Sequence, residues 1–326
     1  MRRSKKILIL TASVVFMLFC LYISLFCGYK DNGIDFIKHL TEKNGEDFLI
    51  FELLRAPRAL KAVIAGSCLS LAGLFMQAIT KNPLAEPYIT GISSGAGLAI
   101  VLSILFFGGS NYSFWGFVGA FLSSVTVILF AGLNKFSLTK LILVGLSVNI
   151  FVSSLISLLI IMNGERAYPL MLILSGGLTN NTIISNKILF AFFVFAILLC
   201  IFIIPKLNFL RLDKDLVMGS NANKDFYIVF IIVLSSFLTS LSVFSAGIIG
   251  FVGIIIPQLS KLLVGQDFRW LFLINIFLGS GLMLISDYIS RVVLYPLEIP
   301  LGLTIALLGV PVFIFFLTKK GGKLYE

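Results

Sequence analysis

The sequence predicts an all-α polytopic membrane protein of about ten transmembrane helices, and three observations carry that prediction. Of the 326 residues, 59% are hydrophobic and 12% charged, about half the charge of an average soluble domain, and the mean hydropathy is +1.06. Apolar stretches close to 20 residues long, enough to cross a hydrocarbon core, recur along the whole chain. The basic residues fall in short clusters between these stretches, as topology signals do, and not on one face as in a nucleic-acid binder. Nucleic acid is therefore not an expected partner despite a net charge of +10. No soluble domain fits between the apolar runs, so residues 1–326 read as one transmembrane domain in contact with membrane lipid.

The first span, 7–27, follows Arg2, Arg3, Lys5 and Lys6. It is too long for a signal-peptide core and lacks a small-residue cleavage site, so it reads as retained. Phe26 before Cys27 is unlike a lipoprotein signal. A mixed-charge loop, 28–54, comes next and holds the sole histidine, His39. The remaining spans are 59–80, 91–108, 113–131, 140–161, 186–204, 226–246, 248–264, 271–292 and 302–317. Of these, 91–108 and 248–264 are short enough for re-entrant pieces. Loop 205–225 alternates charge with Leu, Val and Met, as either a surface-lying amphipathic helix or a solvated connector would.

An even span count puts both termini on one side. With the termini inside, 16 Lys and Arg residues lie inside and 9 outside, the direction the positive-inside rule demands.

The residues exclude several chemistries. No HExxH occurs, and one histidine cannot build a His-based metal centre, so no metal site is expected. No GxxxxGK[ST] phosphate loop is present, so ATP is not hydrolysed by that route. The "GISSGAG" stretch (91–97) resembles a nucleophile loop, but no base is expected beside it, and small residues for close helix packing are the better reading. Cys20, Cys27, Cys68 and Cys200 have no metal or redox spacing and read as small apolar residues. No catalytic residue and no cofactor bound by this chain is expected.

An ion-coupled carrier needs acids or bases buried at mid-membrane. The candidates are Glu86, Asp287 and Glu298. Asp287 lies four residues before Arg291, so a helix places them on one face as a structural ion pair. With so few ionisable groups in the spans, the driving force is expected from another subunit.

The segment "RAPRALKAVIAGSCLSLAGLFMQAITKNPLAEPYITGISSGAG", 55–97, begins with two arginines, crosses, and breaks at two prolines. Pro83 and Pro87 each remove an amide donor and disfavour helix at the residue before. This stretch resembles the signature of the FecCD family, permease subunits of ABC importers for iron–siderophore complexes, haem and cobalamin. A second block, 246–317, agrees: an FVG, the proline of "IIPQLSK", G-x-D-x-R, D-x-x-x-R, E-x-P-x-G and G-x-P-x-F follow in order. The resemblance covers essentially residues 7–320. Three positions depart from the family pattern: Gln258 replaces a usual histidine, "LSGGLTN" (174–180) lacks a common Trp, and Asp215 stands near Gly219 without the usual preceding alanine.

The resemblance implies a type II ABC importer permease fold in a bacterial plasma (inner) membrane, with both termini cytoplasmic. It implies a second permease subunit, identical or sister, ABC ATPase subunits inside and an extracellular or periplasmic substrate-binding protein. Arg55, Arg58 and Arg291 match docking points for glutamates of the binding protein in the cobalamin member. Asn82, Pro83, Leu84 and Ala85 match the inner gate of the translocation path, and Ser137, Leu138 and Thr139 its second element. Loop 206–224, with Arg211, Asp213, Asp215, Leu216, Met218 and Gly219, matches the element that couples to the ATPase. The cargo expected is an iron complex, ferric siderophore before haem or cobalamin; an ion-coupled secondary carrier is the rival reading.

Overall fold

The computed structural model describes residues 3–28, 46–109, 111–132, 137–178, 183–210 and 221–324. Every long element among them is an α-helix. In chain order these are α1 (Arg3–Phe26), α2 (Ala56–Thr80), α3 (Ile92–Phe107), α4 (Tyr112–Ala131), α5 (Leu138–Met162), α6 (Ala167–Leu174), α7 (Ile183–Leu210), α8 (Asn221–Ala246), α9 (Val252–Val264), α10 (Phe268–Val292) and α11 (Leu301–Leu324). All ten expected spans coincide with helices. Seven helices are long and apolar enough to cross a membrane, and Ile92–Phe107, Val252–Val264 and Leu301–Phe315 are shorter apolar ones.

Three stretches differ from expectation. The end of the supposed 28–54 loop is helical: Glu46–Ile50 leads through a π-helical turn, Phe51–Arg55, straight into α2. Leu49, Ile50, Leu53 and Leu54 there are exposed apolar side chains, so the hydrophobic run extends past the two arginines. Helices α7 and α8 also reach into the expected 205–225 connector, to Leu210 and from Asn221. Finally, α6 is a short apolar helix that no span-length criterion detects.

Helix α2 is the axis of the bundle, with 17 of its 25 residues buried. It packs on α8, α9 and α10, while α1 covers the far side of α10 and α4 joins α8 to α3 and α5. Glycine permits the closest crossings. A Cβ on Gly66 would lie 2.2 Å from the Gly279 carbonyl oxygen, and one on Gly73 would lie 1.9 Å from that of Gly253. Where α3 meets α4, a Cβ on Gly95 would lie 2.6 Å from Gly119 O, so "GISSGAG" is a packing surface.

Several hydroxyls inside the bundle are satisfied locally or across helices. Ser235, Ser236, Thr239 and Ser240 of α8 each donate to the carbonyl four residues back. Between α2 and α10, Ser67 and Ser280 share a hydrogen bond of 2.8 Å and Ser70 donates to Asn275 O at 2.8 Å. By contrast α5 buries only Leu141, Gly145 and Ile156. Its exposed Leu143, Ile150, Phe151 and Leu158 need an apolar environment outside the subunit.

Candidate functional site

The two ends of α1 mark the two sides of the molecule. At its start Lys6 Nζ lies 3.5 Å from Asp267 Oδ2, beside the α9–α10 connection. Asn208 Oδ1 accepts from Phe268 N on that same side, at 3.1 Å. At its other end, the carbonyls of Ser24 and Leu25 accept from Arg291 Nη2 (3.1 Å) and Arg55 Nη1 (3.2 Å). The three arginines singled out in the sequence thus converge on one end of the bundle, opposite the Lys6 side.

Two of them turn inward. Arg58 Nε donates to Asp287 Oδ1 at 2.7 Å, and its fork donates to both oxygens of Glu298, Nη1 to Oε1 at 3.0 Å and Nη2 to Oε2 at 2.8 Å. Arg291 Nε lies 3.1 Å from Asp287 Oδ2, as the four-residue helical spacing anticipates. The side chain of Asp287 is 1% exposed, those of Arg58 and Arg291 13% and 17%, and that of Glu298 46%. Asp287 is therefore the buried keystone between two guanidiniums, and Glu298 the member facing water. The two guanidiniums face the carboxylates because a desolvated guanidinium needs a partner.

The break at 82–87 lies at the other end of α2. Lys81 ends the helix in the left-handed region, φ 51°. Asn82 then closes a tight turn, its Oδ1 accepting from Leu84 N at 2.9 Å and its carbonyl from Ala85 N at 3.2 Å. Pro87 opens a single 3₁₀ turn, Pro87–Thr90, where a missing amide donor costs nothing. Leu84 is exposed and Ala85 buried. Ala85 shares a packed cluster with Met76, Val127 and Leu141, and Leu138 packs against it. The two segments matched to gate elements, 82–85 and 137–139, thus meet at one end of the bundle. Ser137 Oγ accepts from Lys140 N at 3.4 Å, starting α5.

Side chains of α9 and α5 tie the break and the 3₁₀ turn after it to the bundle. Gln258 Nε2 on α9 donates to Pro83 O at 2.7 Å and to Gln77 Oε1 at 3.0 Å. Lys261 Nζ donates to the same Gln77 oxygen at 2.7 Å, and Gln77 Nε2 to Gly253 O at 3.2 Å. Glu86 Oε1 accepts from Phe251 N at 2.8 Å; Phe251, with φ 69°, caps the start of α9, where the amide has no acceptor within the helix. Tyr88 OH donates to Ile249 O and accepts from Ile249 N, at 2.8 and 3.1 Å. From α5, Asn149 Nδ2 donates to Tyr88 O at 3.0 Å, and its Oδ1 accepts from Ser94 Oγ of α3 at 2.7 Å. Burial pushes the Glu86 carboxyl up to about 7, against the opposing pull of the Phe251 amide.

Gln258 was noted only as a departure from a motif, and its link to Pro83 escaped sequence reasoning. The partnership of Arg58 with Glu298, 240 residues away, escaped it too, although both stood in quoted motifs. The coupling residues Arg211, Asp213, Asp215, Leu216, Met218 and Gly219 lie outside the described residues, as does His39. Among the described residues no group of three or more His, Cys, Asp or Glu could hold a metal, and the four cysteines are free thiols.

Comparison with known proteins agrees with this architecture. The FecCD transport family matches residues 16–319. The chain is 30% identical over 327 residues to the Fe(3+)-citrate import system permease protein YfmD of Bacillus subtilis (strain 168), covering 99% of this chain and 98% of that protein. It is 31% identical over 323 residues to the "Probable heme-iron transport system permease protein IsdF" of Staphylococcus aureus (strain MSSA476), covering 98% of both chains. Among solved structures, a metal-chelate type ABC transporter in an inward-facing conformation superposes with a TM-score of 0.84 at 29% identity, over 95% of this chain and 99% of that one. The chain is a multi-pass membrane protein of the FecCD transport family, a permease subunit of an ABC importer and not an enzyme.

Proposed function

We propose that this chain is the permease of a ferric-siderophore importer, working as a single membrane domain in a bacterial plasma membrane with both termini in the cytoplasm. The observation that carries the reading is the pairing of two built ends on one buried helix. Arg58 heads α2 at a charged rim, and Asn82–Ala85 follow α2 as a pinned, non-helical break against α5 and α9. Relatives named for ferric citrate and for heme iron support an iron complex as cargo, with haem or cobalamin as the alternative of the same class. A substrate-binding protein presents the cargo at the rim, and its carboxylates meet Arg55, Arg58 and Arg291. ATPase subunits bind below, at loop 206–224, and a second permease subunit completes the path. The chain makes no covalent change to the cargo and binds no cofactor of its own.

A translocation gate needs backbone that can rearrange, and irregular backbone at membrane depth survives only beside protein or water. Residues 82–87 meet that condition, because the neutral amide of Gln258 on α9, itself bonded to Gln77 of α2, holds the Pro83 carbonyl in place of a helical hydrogen bond. Switching then requires exchange of a few amide–carbonyl contacts, each worth about 0.5–1.5 kcal/mol net, a scale that ATP binding on a partner can overcome.

The cargo is tested by titrating the cognate binding protein with ferric siderophores, haem and cobalamin. Tight binding of a ferric siderophore alone is expected; selective binding of haem or cobalamin moves the assignment to that cargo.

A further inference from the structure

We propose that Glu298 is an internal stand-in for the docking carboxylate: it occupies Arg58 in the unpartnered permease and is exchanged for a carboxylate of the binding protein when that protein docks. The inference rests on the docking role proposed above for the rim arginines. A guanidinium presents two bidentate faces. In this structure the Nε of Arg58 is committed inward to Asp287, and Nη1 and Nη2 are both committed to Glu298. A carboxylate arriving from outside therefore finds no vacant face on Arg58; it must replace one of the two.

Burial decides which one leaves. Asp287 is 1% exposed and also holds Arg291 at 3.1 Å, so its removal would strand two cations in the protein. Glu298 is 46% exposed and passes into water at little cost on release. Within this quartet two cations and two carboxylates cancel. An approaching acidic surface therefore gains little from Arg58 until Glu298 moves, and swapping one carboxylate for another is close to neutral in energy. The Arg58 contact contributes orientation and discrimination more than affinity.

The swap also has a route into the fold. Glu298 begins a short segment tied on both sides. Ile299 N donates to Ser290 O at 3.1 Å, and Ile299 O accepts from Ser290 Oγ. Leu301 N donates to Gly176 O at 3.1 Å and Gly302 N to Ser175 O at 3.2 Å. Release of Glu298 thus unfastens one end of a strap that joins the end of α10, the end of α6 and the start of α11. Docking is reported to those three helices by the loss of an internal ion pair.

The test uses the permease in lipid nanodiscs and its fluorescently labelled cognate binding protein, titrated at low and high salt. Glu298→Gln should tighten docking about three- to tenfold at low salt, with the gain shrinking as salt rises. In an Arg58→Ala background the same Glu298→Gln change should have no effect, because the stand-in has nothing left to occupy. Unchanged or weaker docking by Glu298→Gln, while Arg58→Ala alone weakens it, overturns the exchange and leaves the docking role standing. Equal tightening in both backgrounds also overturns it, since general rim charge then accounts for the gain. If substitution of Arg55, Arg58 and Arg291 leaves docking untouched, the docking role falls and this inference falls with it. Should Glu298→Gln fail to accumulate, Glu298→Asp keeps the charge while withdrawing the carboxylate by one methylene, and a smaller tightening of the same sign is expected.

Discussion

The two ends of α2 are held by different chemistry. At the rim, full charges pair across helices: Arg58 with Asp287 and Glu298, Arg291 with Asp287. At the break no ion pair forms among the described residues: Gln258, Gln77 and Tyr88 exchange hydrogen bonds with backbone or with each other, and the two ionisable members, Lys261 and Glu86, bond to a neutral amide oxygen and a backbone N–H. Charge pairs are sensitive to salt, long-ranged and open to exchange by another charge from outside. Amide and hydroxyl contacts are short-ranged and insensitive to salt, and they can be re-formed in a new register. One end is thus suited to recognising a charged partner, the other to rearranging through short-ranged contacts without breaking an ion pair.

Removing the keystone of the rim should have the largest effect on stability. Asp287→Ala leaves Arg58 and Arg291 without their shared buried partner and should cost about 3–5 kcal/mol, seen as a large fall in the unfolding midpoint in detergent. A change within ±0.5 kcal/mol would mean that the rim is held by packing and not by charge.

Next in size is the crossing that carries α9 to the break. Gly73→Ala drives a methyl group into the Gly253 carbonyl and should cost about 1–3 kcal/mol. Gly164→Ala, where nothing lies within 4 Å, is the control and should be close to neutral. The Gly73 variant should also speed hydrogen exchange at Phe251, because the start of α9 shifts away from Glu86.

A smaller and more local effect is expected from Gln258→Leu. It removes the Gln258 donor from the Pro83 carbonyl while Gln77 Oε1 keeps Lys261 Nζ, a loss of about 0.5–1.5 kcal/mol. Faster hydrogen exchange at Leu84 and Ala85, with the rim unchanged, would sharpen the distinction between the two ends. Equal loosening at both would break it.

The last contrast concerns pH. Glu86 holds its proton up to about 7 in the fold, against a usual value of 4.5. Between those values the unfolded chain releases the proton while the folded one keeps it, so stability falls as pH rises through this window and levels off above it. Glu86→Gln keeps an acceptor for Phe251 N and should flatten that slope. If both proteins lose stability in parallel between pH 4.5 and 7, other groups govern the titration.

The ten spans were legible because a bilayer imposes a length on apolar sequence, and even the short 91–108 and 248–264 runs announced themselves through bounding Gly and Pro. The Asp287–Arg291 pair was legible because both residues sit one turn apart on one helix. Contacts between distant segments were not. Arg58 and Glu298 are separated by 240 positions, and nothing in either neighbourhood specifies the other. Gln258 to Pro83 is the same case: spacing reveals faces of helices, whereas cross-helix pairing depends on the packing angle that Gly73 and Gly253 allow. Helix α6 was missed for another reason, since eight apolar residues are too few to register as a span.

The most direct test of the account as a whole is transport in proteoliposomes holding this permease with its cognate ATPase and any sister permease. ATP is enclosed, and the ferric-siderophore-loaded binding protein is added outside. The account predicts accumulation of labelled iron complex only when ATP, ATPase and binding protein are all present. Accumulation by the permease alone, driven by a proton or sodium gradient without ATP, would contradict it.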